Sequence, residues 1–287
     1  MFKEAIKKNI DYIKPIVNGY KTPYSDEIYG GMGTVMAINE EGWVLTCRHI
    51  AENIIVADKI METYKYIKQE LIENKMPPKK IYKKYGIEEE SAVIFRNVFL
   101  NLIDSWEGMQ IFMHEYLDLA LIKFDNPGKI FCDRFPVFAK ENAEPGEYIC
   151  RLGFPYAEIN CFSYNHVIKD VTIKKDFDSN FQPFPLDGML TRILIDDKKK
   201  ISLFEMTNAG LPGQSGGPIF NKEGTVVGMQ IGNATKDISI DVDTKLKRGI
   251  KEIPVKQYSF VNFGIGINVN TIKEFLDKHK VKYIEEK

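Results

Sequence analysis

The sequence predicts an all-β fold interrupted by one helical insertion and closed by a terminal helix, and three observations carry that expectation. From Gly30 onward, short β-branched runs alternate with turn residues, the rhythm of strands joined by tight connections. Residues 57–86 break the rhythm: Ile60, Tyr64, Ile67 and Leu71 recur at helical spacing with charges between them, and "MPPKK" stops the run. Near the other end, "NTIKEFLDKHKV" reads as a closing helix. A chain of 287 residues accommodates one all-β domain, or two small barrels sharing a cleft.

In chain order, Phe2, Ile6, Ile10 and Ile13 are spaced as in a short N-terminal helix that ends at Pro15. "GTVMAI", the turn "NEEG" and "WVLTC" make a hairpin, with His49 just beyond its second strand at the start of a short helix, "HIAENI". After the insertion, "SAVIFRNVFLNLI" and "MQIFMHEYLDLALIKF" return to β-like runs, although the first also fits a helix. A second half begins near "FPVFAKENAEPGEYICRLGFP". Its strand-like pieces are "HVIKDVTI", "MLTRILI", "ISLFEMT", "GTVVGMQIG" and "YSFVNFGIGI". There is no repeat period and no low-complexity tract.

Bulk properties exclude several function classes. The chain carries 39 basic and 40 acidic residues, a net charge of −1, so no global field draws it to nucleic acid or to an anionic membrane. No run of eighteen apolar residues suggests a membrane span, and the N-terminus lacks the pattern of a secretory signal. Cys47, Cys132, Cys150 and Cys161 show no CxxC spacing, so reduced thiols in a cytoplasmic protein are expected. No HExxH, EF-hand or Walker-type pattern is present, and neither metal nor organic cofactor is expected.

The stretch "LPGQSGGPIF", residues 211–220, sets three glycines and two prolines around one serine. Glycine loses more conformational freedom on folding than any other residue, so such a cluster implies positive φ or close approach. A plain turn between strands would explain it, but so would a nucleophile loop. In the second case Ser215 sits at a tight bend, and the N–H groups of Gly213 and Ser215 converge where an oxyanion would form. A serine is a weak nucleophile alone and needs a base, which in turn needs an orienting group. Of His49, His114, His166 and His279, only His49 terminates a hydrophobic strand; His279 is expected to be solvated in a lysine-rich helix. Asp118, inside the apolar "YLDLALIKF", is the carboxylate expected to lie buried beside the histidine. Glu115 lies in a more polar run, and Asp125 reads as a turn residue.

The order His49, Asp118, Ser215, with the segments "GTVMAINEEGWVLTCRHIAE", "DLALIKF", "GLPGQSGGPIFNKEGTVVGM" and "FGIGINVNTIKEFL", resembles the trypsin-like, chymotrypsin-fold serine peptidases. The likeness covers residues 30–56 and 111–280 and is greatest for the bacterial branch that includes the high-temperature-requirement proteases. The resemblance implies two six-stranded antiparallel β-barrels with the site in the cleft between them. It also implies that His49 is the base, Asp118 its orienting carboxylate, Ser215 the nucleophile, and Gly213 and Ser215 the oxyanion donors.

By the same resemblance, Ala209 lies at the floor of the primary specificity pocket, and Gln230, Ile231, Gly232 and Gly264 to Gly266 form its walls. With no carboxylate at the floor, small or apolar side chains are the expected preference at the cleaved position, and "DKKKISLFEMTNAGL" contributes loops that could alter it. Gln214 stands where the animal digestive branch has the aspartate of its activation switch, so zymogen activation of that type is not expected.

The implied division is residues 1–29 as N-terminal helix and extension, and 30–130 as the first barrel with the insertion at about 57–86. Residues 131–287 then form the second barrel and C-terminal helix, in one peptidase domain without an appended peptide-binding domain. The partner is a protein or peptide substrate. Regulation, where it exists, would act through residues 1–29, the 57–110 insertion or a regulatory protein. Three other readings compete with this one. A latent binding module on the same fold keeps the triad but not its alignment. A cysteine peptidase built on Cys47 leaves the glycine frame of Ser215 without purpose. An α/β-hydrolase requires the order Ser, Asp, His.

Overall fold

A computed structural model of the chain describes residues 2–73, 76–155, 161–174, 181–195, 201–239, 242–248, 251–257 and 259–287. Helix α1 (Lys3–Asn9) leads directly into strand β1 (Ile13–Lys21). The helix expected to run to Pro15 therefore stops at Asn9, whose side-chain amide donates to the carbonyls of Ala5 (2.8 Å) and Gly224 (2.9 Å). Beyond that point, burial of Ile13, Ile16 and Val17 in a sheet prevails over local periodicity. Pro15 sits inside β1, where its carbonyl accepts the Leu100 N–H (3.0 Å).

The expected hairpin forms from β2 (Ile28–Ala37) and β3 (Trp43–Thr46), with Met36 opposite Leu45 and Ala37 opposite Val44. The helical region after β3 departs from the sequence expectation. The short helix at His49 and the insertion are one continuous helix, α2 (Arg48–Glu73). The prolines of "MPPKK" also open a new helix, α3 (Pro78–Lys84), with Pro78 in the first turn, where a missing N–H does no harm. Strands β4 (Ile94–Phe99), β5 (Gly108–Met113) and β6 (Ala120–Asp125) complete an antiparallel six-stranded sheet of order β4-β1-β2-β3-β6-β5. Residues 1–29 are thus no mere extension, because β1 lies inside this sheet.

The second half holds β7 (Val137–Phe138), β8 (Tyr148–Arg151), β9 (Phe162–Asn165), β10 (Asp170–Ile173), β11 (Leu186–Ile195), β12 (Ile201–Met206) and β13 (Pro218–Phe220). After these come β14 (Val226–Asp237), β15 (Val242–Arg248), β16 (Lys251–Gln257), β17 (Phe260–Asn268), helix α4 (Val269–Lys278) and β18 (Ile284–Glu285). Pairing runs β13-β8-β11-β12-β17-β14, and β14 returns to β13, which closes a six-stranded barrel. The β15–β16 ribbon, which the sequence pattern did not anticipate, pairs apart from it. Two six-stranded β units with an inserted and a C-terminal helix are the architecture that the sequence led one to expect.

One hydrophobic core runs through both halves, joining Ile13, Leu45 and Leu121 to Ile149, Phe220 and Ile267 and to Phe275 and Leu276 of α4. A second forms where the insertion packs: Tyr64 and Ile67 of α2 and Ile81 and Tyr82 of α3 lie with Val17, Ile94, Phe162 and Val171. Asp170 pins this contact by accepting from Lys68 (3.1 Å) and Arg96 (2.8 Å). Among the described residues, no helix is long and apolar enough to cross a membrane. All four cysteines are free thiols.

Candidate active site

His49 occupies the first turn of α2, and the group that starts this helix is Asp118, from the loop between β5 and β6. One carboxylate oxygen accepts the His49 backbone N–H (2.9 Å) and the other accepts the imidazole Nδ1–H (2.7 Å). A carboxylate at a helix N-terminus satisfies otherwise orphaned donors, so one side chain both caps α2 and orients the ring. Burial by itself would raise the Asp118 pKa; hydrogen bonds from the His49 side chain and from the backbone of His49 and Arg48 outweigh it and hold the pKa below the usual aspartate value.

The site is more open than expected: the Asp118 side chain is 30% exposed and that of His49 49%. Glu115 pairs with the Tyr116 hydroxyl (2.8 Å) and Asp125 accepts from Gln110 (2.9 Å), so neither rivals Asp118. Two residues to which the sequence assigned no role shape the Asp118 loop. His114 Nδ1 accepts the N–H groups of Tyr116 (3.2 Å) and Leu117 (3.1 Å), and Arg48 Nη1 donates to the carbonyls of His114 and Glu115 (both 3.1 Å). His279 is not simply solvated: its ring lies against Phe112 and Phe275, with centroids 4.7 and 4.8 Å away, and burial lowers its pKa.

The serine loop is built as its composition demands. Pro212 and Gly213 are the central residues of a turn in which the Gln214 N–H reaches the Leu211 carbonyl (3.0 Å), and Gly213 has φ +99°, the second central position of a type II turn. At Gly216, φ is +87°, and a Cβ would lie 2.0 Å from the Thr34 carbonyl oxygen. That close approach is how the first sheet grips the loop. The Thr34 N–H donates to the Ser215 carbonyl (2.9 Å), and the Thr34 hydroxyl donates to the Gly213 carbonyl (2.8 Å) and accepts the Phe154 N–H (3.3 Å). Gln214 is fully buried; its amide accepts the Leu211 N–H (2.9 Å) and donates to the Phe184 carbonyl (3.1 Å). An uncharged side chain thus braces the loop.

Donor use in this loop is selective. The N–H groups of Gln214, Gly216 and Gly217 are all bonded within the chain, whereas those of Gly213 and Ser215 have no acceptor among the described residues. The Ser215 hydroxyl donates to the Ile231 carbonyl (3.4 Å) rather than to the imidazole.

Ligand atoms of Cys47, His49 and Asp118 lie within 4.8 Å of one another, a spacing that could hold a cation. Cys47 is ill suited to that role and to that of a nucleophile. It is fully buried, burial and then the charge of Asp118 push its pKa well up, and it donates to the Gln230 carbonyl (3.4 Å). Metal ligation and attack both need the thiolate.

Of the residues expected at the primary pocket, Gln230 and Gly232 pair with Gly266 and Ile265 across β14 and β17, and Gly210, next to Ala209, lies against the Gln230 amide. Asn233 ties β14 to the 209–210 segment, accepting the Gly210 N–H (2.5 Å) and donating to the Gly210 carbonyl (2.8 Å). Ala209 is partly exposed and Gly232 has open space where a Cβ would be. Gln230 is buried, and its side-chain amide donates to the Gly232 carbonyl (2.6 Å). Between Gln230, Asn208 and Gly264 lies the guanidinium of Arg151, a residue to which the sequence assigned no role. Residues 197–200, in the loop expected to modify the pocket, lie outside the described residues.

The family model for the trypsin-like peptidase domain matches residues 31–229, more than two thirds of the chain. No curated protein matches the chain.

Proposed function

Because the chain belongs to the trypsin-like peptidase domain family, we propose that it is a serine endopeptidase acting through His49, Asp118 and Ser215 and an acyl-enzyme. The observation that carries this reading is the 2.7 Å bond from His49 Nδ1–H to Asp118. A carboxylate accepts only, so the Nδ1 proton is fixed and Nε2 becomes the basic nitrogen. In this mechanism Ser215 Oγ turns from the Ile231 carbonyl toward Nε2 as substrate enters. It loses its proton to His49 and attacks the peptide carbonyl. The unspent N–H groups of Gly213 and Ser215 hold the oxyanion, and the Asp118 charge stabilises the imidazolium. His49 then protonates the leaving amine, and water activated by the same nitrogen hydrolyses the acyl-enzyme.

Ala209 gives a basic side chain no carboxylate to meet; taken alone it allows small or apolar ones. The likeness to the high-temperature-requirement branch, and a cytoplasmic location argued from four free thiols, belong to the same reading. So does regulation by a protein partner at the insertion.

One observation favours a second reading, a latent binding module: the Ser215 hydroxyl is engaged with Ile231, not with His49. A fluorophosphonate probe separates the two. The wild-type protein is expected to acquire one adduct, located at Ser215 by mass spectrometry and absent in Ser215→Ala. Folded protein that takes up no probe would overturn the peptidase reading and leave the latent one.

A further inference from the structure

Arg151 is the last residue of β8 and is completely buried, one of the largest fully buried side chains among the described residues. A guanidinium carries five N–H donors and needs an anion or several acceptors to be tolerated in the interior. Arg151 has few. Nη1 donates to Gln230 Oε1 (2.5 Å) and Nη2 to the Asn208 carbonyl, while Nε has no acceptor. No carboxylate among the described residues forms an ion pair with it. Burial lowers its pKa to about 10, which still leaves it cationic at neutral pH.

Its position gives this unpaired charge a meaning. A Cβ on Gly264 would lie 2.4 Å from Nη1, and one on Gly210 2.5 Å from the Gln230 amide and 3.3 Å from Nη1, so the guanidinium and the amide it bonds together fill the space that these two glycines leave open. Gly210 follows Ala209, and Gln230, its acceptor, precedes Ile231, whose carbonyl takes the Ser215 hydroxyl. The cation therefore stands among the three segments that would enclose the side chain of the residue being cleaved, one residue removed from a direct contact of the nucleophile. Gln230 and the Asn208 carbonyl hold its plane but neutralise nothing, since both are uncharged.

We infer that Arg151 makes the primary pocket a receptor for a carboxylate, so that the enzyme cleaves after aspartate or glutamate. The inference rests on the peptidase reading above and names the substrate class of that site. It departs from the small or apolar preference that Ala209 alone suggests, because the charge comes from a strand outside the lining segments. A substrate carboxylate reaches this wholly covered guanidinium by parting the segments around it, and then accepts from Nε and from the unspent Nη hydrogens in a charge-assisted pair.

The test is a set of fluorogenic peptides that differ only at the cleaved residue (Glu, Asp, Ala, Leu, Lys), run beside fluorophosphonate labelling of the same preparation. Expected is labelling at Ser215 together with kcat/KM on the order of 100-fold higher for the better acidic peptide than for Leu. In Arg151→Met, checked for folding by circular dichroism, that ratio falls to about one, and Arg151→Lys retains part of it. Labelling with a preference for Ala or Leu overturns the inference and leaves the peptidase reading intact. An acidic preference that persists in folded Arg151→Met also overturns it. Absence of labelling removes both. If neither variant folds, the wild-type profile alone decides.

Discussion

Replacing Asp118 by asparagine separates the two tasks of this carboxylate. The charge lost stands 2.7 Å from Nδ1 of the ring that, in the proposed mechanism, becomes cationic during acylation. With charge centres about 4 Å apart and an effective dielectric constant of about 20, their attraction is about 4 kcal/mol. Both groups are partly exposed, so roughly half is the lower bound. A loss of about 2–4 kcal/mol corresponds to about 30- to 1000-fold in rate. The amide also no longer fixes the tautomer that leaves Nε2 basic, which brings the expected fall in kcat toward 10⁴-fold. Stability should respond differently. Asparagine keeps an acceptor for the His49 N–H but loses the charge, so Asp118→Asn should lose some stability at neutral pH but less than Asp118→Ala, which gives up about 1 kcal/mol more for the cap. The assay is kcat on a cleaved peptide, or the rate of fluorophosphonate labelling, alongside thermal melts. Asp118→Asn within tenfold of wild-type activity would refute the reasoning. The sign of the pH effect follows from the depressed pKa: Asp118 adds stability above about pH 4, its unfolded range, and the addition disappears as pH falls through the lower folded value.

Thr34→Val keeps the shape but leaves the Gly213 carbonyl and Phe154 N–H without their partner. About 2–3 kcal/mol of stability and about tenfold in labelling rate should be lost, because the first sheet no longer steadies the serine loop, to which the proposed mechanism gives the oxyanion; an unchanged Tm would show that the loop is held elsewhere. Gly216→Ala forces a methyl group to within 2.0 Å of the Thr34 oxygen at φ +87°. A loss of at least about 3 kcal/mol is expected, read as a large drop in Tm or in soluble yield, and a variant that melts like wild type would contradict the packing described.

Local chemistry made much of this protein legible. The glycines and prolines around Ser215 state the turn they form, because only glycine takes the positive φ at 213 and 216 without strain. Short β-branched runs between turn residues located the β2–β3 hairpin and most strands of the closed barrel; His49 stood out at the end of a hydrophobic strand and Asp118 within an apolar stretch. Where local signals compete, the sequence misled: residues 13–15 continue a helical pattern but lie in β1, and the prolines after α2 open a helix as well as ending one.

Tertiary structure decided the rest, for a common reason: each decisive contact joins segments distant in the chain. That Asp118 caps α2 while orienting His49 depends on the β5–β6 loop meeting the start of that helix. Thr34 reads as an ordinary strand residue until the second barrel brings Ser215 to it. Nothing in the sequence around Arg151 marks it as part of a site. Closure of the barrel surrounds it with residues 208–210, 230 and 264 and removes its water. Solvation is a property of the folded neighbourhood and not of residue type, so the substrate class inferred above could not be read from the chain itself.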